Sequence, residues 1–311
     1  MPPASSDNNV MRDLFVKDPV LALTYGPSGI GKTTDTGLSF PNALFIAAPG
    51  ALQSIRNVAG YSPLVENATT IPDVTKLITT IGSYKAKGSD TKIDSVVVDD
   101  FSYLAEQTFA QFEKKFNGFR LWGELRDAVI DFRNAARFAK VHIVVNCWEQ
   151  PPKDKPGGAR VKGGPMLSGN LPEQVPAMFD MVLRCGLDPM RKPWPGIYQC
   201  VADANYVMKD RLNVATAAHP APMNMAELIR AAGYDVSRHP DLAWQEDVVT
   251  KVSAQMVQDG AAKDKDTANA VYADLVKNAV NPLHARWTLR DAMDRTVISR
   301  ALSARNSVFL A

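Results

Sequence analysis

The chain has 311 residues, 46% of them hydrophobic and 22% charged, enough for one large domain with an appendage or for two modest ones. A net charge of +2 excludes a strongly basic nucleic-acid coat, so any such binding has to come from a local patch. Three widely spaced cysteines, Cys147, Cys185 and Cys200, with no C-x-x-C pair, read as buried thiols of a reducing compartment rather than a disulfide frame or a zinc site.

Residues 1–17 open polar and rich in Pro, Ser and Asn, and read as a flexible arm. They lack the basic end and apolar stretch of a signal peptide, and no apolar run approaches the roughly 18 residues of a membrane span. A soluble, cytoplasmic protein without membrane contact is the expectation. From Val20 to Tyr25 a buried strand is predicted, running into Gly26-Pro27-Ser28-Gly29-Ile30-Gly31-Lys32-Thr33 and then a helix. A second buried strand follows at 42–48 and closes at Pro49-Gly50. Asp73 is placed as the cap of a helix over VTKLITTIGSYKAKG, and IDSVVVDD (93–100) is an apolar run ending in two aspartates.

Apolar residues recur at helical spacing through 101–140, with Gly118 dividing two helices. VHIVVNC (141–147) is another buried strand. Alternating strands and helices predict an α/β fold, a mostly parallel sheet covered by helices on both faces. The Pro/Gly/Lys stretch 150–165 is predicted to lack regular structure, with two more strands in 178–187 and 197–204. From Met223 the pattern turns helical, so the division is an arm (1–17), a core (18–219) and a helical C-terminal extension (220–311). Trp244, Leu275, Leu283, Trp287, Leu289 and Met293 of the extension read as packing residues.

The glycine loop fits G-x-x-x-x-G-K-S/T at Gly26, Gly31, Lys32 and Thr33. Glycines let successive backbone N–H groups turn inward around phosphates, the lysine adds a point charge, and the threonine hydroxyl suits Mg²⁺. Such a loop needs an acid at a neighbouring strand tip to hold the magnesium shell, and Asp99 ends the next apolar strand. Asp100 either polarises the attacking water or caps the next helix. Asn146, at the tip of VHIVV, either senses the γ-phosphate or satisfies loop backbone.

Lys153, Lys155, Arg160 and Lys162 stand among glycines against one acid, Asp154, as a loop wrapping nucleic-acid phosphates or as a solvated basic surface. Lys209 and Arg211 flank Asp210 beyond the late strands, either as a finger reaching a neighbour's nucleotide or as an internal salt-bridge cluster.

In this order the motifs resemble the phage-type AAA/RecA-like P-loop ATPases, including the RecA-related single-strand annealing proteins of bacteriophages. The resemblance is carried by the loop, VVVDD, VHIVVN and the K-D-R at 209–211, together with LWGELRDAV (121–129), Gly164–Pro172 and Phe179–Arg184, over about residues 18–215. It implies ATP at Gly26 to Thr34 with Mg²⁺ at Thr33 and Asp99, and a trans finger at Lys209 and Arg211. It also implies single-stranded DNA as the partner and a homo-oligomer, ring or filament, as the working form. One departure matters: RecA-like ATPases usually end the second strand in an acid, whereas here that strand reads Leu44-Phe45-Ile46-Ala47-Ala48-Pro49-Gly50. Either Asp100 has taken over or turnover is slow, since losing a general base costs about 10²–10⁴ in rate. Two functions follow: an ATP-hydrolysing recombination or annealing protein, or a nucleotide-gated scaffold with little hydrolysis. A small-molecule phosphotransferase would need lid arginines, and the 101–140 helices offer mainly aromatics.

Overall fold

Residue 20 to residue 26 is apolar except for Thr24, and it becomes the buried strand β1 (Leu21–Gly26) at the middle of a ten-stranded sheet. The computed structural model describes residues 18–236 apart from 41, 56–62, 89–92, 155–159 and 191–195, with a few positions between 257 and 267. The predicted arm and most of the C-terminal extension, including Trp244 and Trp287, lie outside the described residues.

Five further strands run parallel with β1: β2 (Ala43–Ala47), β3 (Leu64–Asn67), β4 (Ser95–Asp99), β5 (His142–Gln150) and, on the other side of β1, β9 (Met181–Leu187). β6 (Lys153–Asp154), β7 (Arg160–Val161) and β8 (Gly164–Pro165) lie between β5 and β9 in sequence. β10 (Gly196–Gln199), β11 (Lys209–Asp210) and β12 (Ala221–Pro222) extend the β9 side antiparallel, giving the order β3-β2-β4-β5-β1-β9-β10-β12, with β11 also on β9. One strand, β5, is inserted between the loop strand and the acidic strand β4.

Strand alternation sends Leu21, Leu23 and Tyr25 to one face and Val20 and Ala22 to the other. The first face is covered by α2 (Ile71–Ala86), α3 (Phe101–Glu113) and α4 (Gly118–Phe138), the second by α1 (Lys32–Ser39) and α5 (Met225–Ala231). In α4 the stripe Leu121, Leu125, Val129 and Phe132 recurs at helical spacing and is buried. α2 begins with a reciprocal capping box: Thr70 is the cap and Asp73 its third-position partner, which corrects the placing of Asp73 as the cap. The stretch after β5, expected to be irregular, contains the short hairpin β6–β7 (Lys153↔Val161, Asp154↔Arg160) and then β8, which pairs with β5.

The sheet runs on past residue 219. β12 pairs with β10, and α5 is tied to α1 through Asp35, whose Oδ2 accepts from the Tyr198 hydroxyl (2.6 Å) and the Met225 amide (3.1 Å).

The base of the sheet is held by Asp180. Its Oδ2 accepts from the Leu21 amide at 3.0 Å and its Oδ1 from Arg137 Nη2 at 2.7 Å, both side chains being largely buried. Asp180→Ala leaves the Arg137 charge without its carboxylate, with only the Pro19 carbonyl still accepting from it, and leaves a strand N–H without its partner. Breaking a buried pair this way costs about 3–5 kcal/mol, a large share of a domain's stability. Urea denaturation of the variant is expected to show a correspondingly lower midpoint at unchanged slope; a midpoint within experimental error of wild type would contradict the role given to the pair.

Candidate nucleotide site

β1 delivers the glycine loop to the carboxyl edge of the sheet. Gly29 (φ +77°) and Gly31 (φ +102°) occupy left-handed backbone that a side chain would strain. Gly26 lies against β9 so closely that an added Cβ would sit 2.9 Å from the Cβ and the carbonyl oxygen of Cys185. Lys32 is buried, and its ammonium is held over the loop by donating to the carbonyls of Gly26 (2.8 Å) and Pro27 (3.0 Å).

One helical step on, the Thr33 hydroxyl donates to Asp99 at the tip of β4, with both carboxylate oxygens 3.0 Å away. The inserted strand β5 adds Asn146, whose Nδ2 donates to Asp99 Oδ1 (2.8 Å) and to Thr36 Oγ1 (3.1 Å) while its Oδ1 accepts from Thr24 (2.7 Å). Asn146 is therefore a buried brace that fixes the Asp99 carboxylate, and it does not serve loop backbone. Burial raises the Asp99 pKa; the hydrogen bonds from Asn146 and Thr33 and the charge of Lys32 oppose this only in part.

These residues fit a magnesium ion. A hydroxyl and a buried carboxylate, both hard oxygen donors, lie within hydrogen-bond reach, and the carboxylate's charge is incompletely compensated. Thr34 supports a phosphate ligand as well: its hydroxyl is buried on the cavity wall and makes no hydrogen bond among the described residues.

Of the two readings left open for Asp100, the structure shows the helix cap. At φ +64°, in a region that Asp enters more readily than most residues, it caps α3 by accepting from the Tyr103 amide at 3.2 Å. It also lines the cavity beside Asp99, and burial pushes its pKa up to about 6. The cavity, of about 320 Å³, is walled by Ser28, Gly29 and residues 31–34, by Asp99, Asp100 and Asn146, and by residues that sequence reasoning missed: Gln53 and Ser54 of the 3₁₀ turn Ala51–Ile55, and Trp148. Nothing in their spacing marks them; Gln53 and Ser54 reach the cavity because β2 lies next to β4, with Ala47 opposite Asp99, and Trp148 because β5 lies on the other side of β4. The second strand indeed ends without an acid.

A family profile described as an AAA domain matches residues 18–212. The chain belongs to this AAA domain family. No curated protein sequence matches it significantly. Among the solved structures similar to this AAA domain is the crystal structure of the RadB recombinase, 18% identical, with a TM-score of 0.37 over 62% of this chain and 91% of that one. No helix among the described residues is long and apolar enough to cross a membrane.

The remaining predicted residues of the AAA domain are dispersed. Lys153 and Arg160 are exposed on β6 and β7, with Arg160 in a long 3.9 Å contact to Asp154. Lys162 donates to the Asp203 carbonyl at 2.7 Å, and Lys155 lies outside the described residues. The hairpin's foot is clamped: Arg184 makes a two-pronged pair with Glu149 (2.8 and 3.1 Å) and lies over the Tyr206 ring, while Tyr206 bridges to Gly163.

Lys209 and Arg211 do not line the cavity. The Lys209 ammonium donates to the carbonyls of Phe179 (2.8 Å), Ala177 (3.1 Å) and Pro176 (3.5 Å), so in this structure its donors anchor the backbone of 176–179. Arg211 is exposed, with a 3.6 Å contact to Asp180.

Proposed function

We propose that this AAA domain is an ATP-hydrolysing DNA recombination or single-strand annealing protein of the bacteriophage type. The observation that carries the reading is the course of β5: it braces the magnesium-shell carboxylate through Asn146 and then runs on into the basic hairpin at Lys153 and Arg160. In this reading the nucleotide phosphates meet the tip of β5 and the polyanion meets the hairpin that follows it.

In this reading the backbone N–H groups of Gly29 to Lys32 and the Lys32 ammonium cradle the ATP phosphates, with the Thr34 hydroxyl as a further donor. Thr33 and Asp99 hold Mg²⁺, which when bound neutralises charge on the β- and γ-phosphates. Asn146 keeps Asp99 in position. Asp100 polarises the attacking water, the role that the acid-free tip of β2 leaves open. Lys153 and Arg160 of the hairpin, together with Lys155, contact DNA phosphates, with Lys162 at the hairpin's foot. Subunits associate in a ring or filament, and Arg211, the exposed member of its pair, reaches the neighbouring subunit's nucleotide.

ATP hydrolysis measured with and without single-stranded DNA tests the reading, and stimulation by DNA is the expected result. Lys153→Ala with Arg160→Ala is expected to weaken DNA binding while leaving DNA-free turnover unchanged. Because two phosphate contacts are lost, the slope of log affinity against log salt becomes shallower by about 1.4 for a single strand. An unchanged slope would remove the hairpin from the interface.

A second reading is favoured by Ala47 and Ala48 at the tip of β2: a nucleotide-gated scaffold that binds ATP and barely turns it over. A negligible rate, flat with added DNA, would favour it.

A further inference from the structure

Hydrolysis needs more than a cradle for phosphates. A water must be held with a lone pair facing the γ-phosphorus, and this requires an acceptor for one of its O–H groups. The polar groups already described are largely committed. The Asn146 amide is occupied by Thr24, Thr36 and Asp99, and Asp100 Oδ1 caps α3. β2 supplies nothing at its tip, since Ala47 stands opposite Asp99 and Ala48, Pro49 and Gly50 follow.

The chain then makes the 3₁₀ turn Ala51–Ile55. Ile55 is buried in the core on the α1 side and Leu52 packs against the same cluster, so the turn is pinned by its apolar residues. This leaves the exposed Gln53 on the cavity wall, together with Thr33, Asp99 and Asp100. Gln53 makes no hydrogen bond among the described residues.

We propose that Gln53 orients the attacking water. Its amide oxygen accepts one O–H of the water, the water-orienting role that glutamine performs in GTPases. The water oxygen then forms its bond to the γ-phosphorus as the bond from that phosphorus to the β–γ bridging oxygen breaks. ADP keeps the bonding pair, and the proton lost by the water leaves through Asp100 to solvent. An amide cannot take that proton, so Gln53 is a positioning residue and the acid stays with Asp100. The inference rests on the ATPase reading above.

The test is steady-state ATP hydrolysis by the full chain with Mg²⁺ and single-stranded DNA, for wild type, Gln53→Ala and Gln53→Glu, alongside binding of a non-hydrolysable ATP analogue. Gln53→Ala is expected to lower kcat by about 10- to 100-fold, with KM, analogue affinity and thermal midpoint unchanged. Gln53→Glu keeps an acceptor and retains more turnover than Gln53→Ala. A wild-type kcat in Gln53→Ala overturns the inference while leaving the ATPase reading standing, and so does a loss of analogue affinity equal to the loss of kcat, which would make Gln53 a binding contact. Absence of hydrolysis by wild type overturns the ATPase reading and this inference with it.

Discussion

Lys32→Ala is expected to lower the affinity for ATP by about 10²–10³ and to bring hydrolysis to background, with the fold intact. The size follows from the setting. A charge–phosphate contact of about 4 Å at an effective dielectric near 20 is worth about 4 kcal/mol, and Lys32 is buried beside the loop. The side chain's hydrogen bonds are to two loop carbonyls, Gly26 and Pro27. The Gly29 and Gly31 backbone angles, set by β1 and α1, do not depend on it. Titration of a fluorescent ATP analogue reads the loss, and a circular dichroism melt close to wild type separates it from misfolding. A variant that bound the analogue as tightly as wild type would remove Lys32 from the site.

The second large effect is at Asp99, where function and stability are expected to move in opposite directions. Asp99→Asn keeps the side chain's shape and an oxygen for the Thr33 hydroxyl and the Asn146 amide, but removes the charge. Magnesium-dependent hydrolysis is expected to fall by about 10²–10³, the scale of losing one electrostatic contact at a phosphoryl centre. Stability behaves differently. Burial raises the Asp99 pKa above its ordinary value, so above that ordinary value the folded state is penalised relative to an unfolded chain whose carboxylate ionises freely. That cost is present above the ordinary carboxylate pKa and is relieved as pH falls. A neutral isostere removes it, and the metal-free variant is expected to melt at or above the wild-type temperature. A clear drop in melting temperature together with unimpaired hydrolysis would mean that Asp99 is a structural brace and no part of a metal shell.

The parts of this site that could be read from sequence are those whose chemistry demands a residue type at a fixed spacing. Gly29 and Gly31 are legible because their backbone excludes side chains, and Asp99 because an apolar strand that ends in an acid has few other uses beside such a loop. Asn146 was legible as a strand-tip polar residue, but its role depends on β5 lying between β1 and β4, a neighbour relation that no local pattern carries. Gln53 was invisible for the same reason. β3 was missed because its four residues, Leu64–Asn67, form an exposed edge without the apolar run of the inner strands. The hairpin at 153–161 was hidden by its prolines and glycines: its strands are two residues long and too short for any periodicity. Lys209 was left open between a finger and an internal cluster because a sequence names charges and not the carbonyls that occupy them.

The cavity between the loop and Asp99 is proposed to hold the phosphates of ATP together with magnesium. Calorimetric titration of the full chain with a non-hydrolysable ATP analogue, with and without Mg²⁺, tests it most directly. Saturable binding at one site per chain that tightens with Mg²⁺, and loses that tightening in Asp99→Asn, is the expected result. No binding, or binding indifferent to both Mg²⁺ and Lys32→Ala, would contradict it.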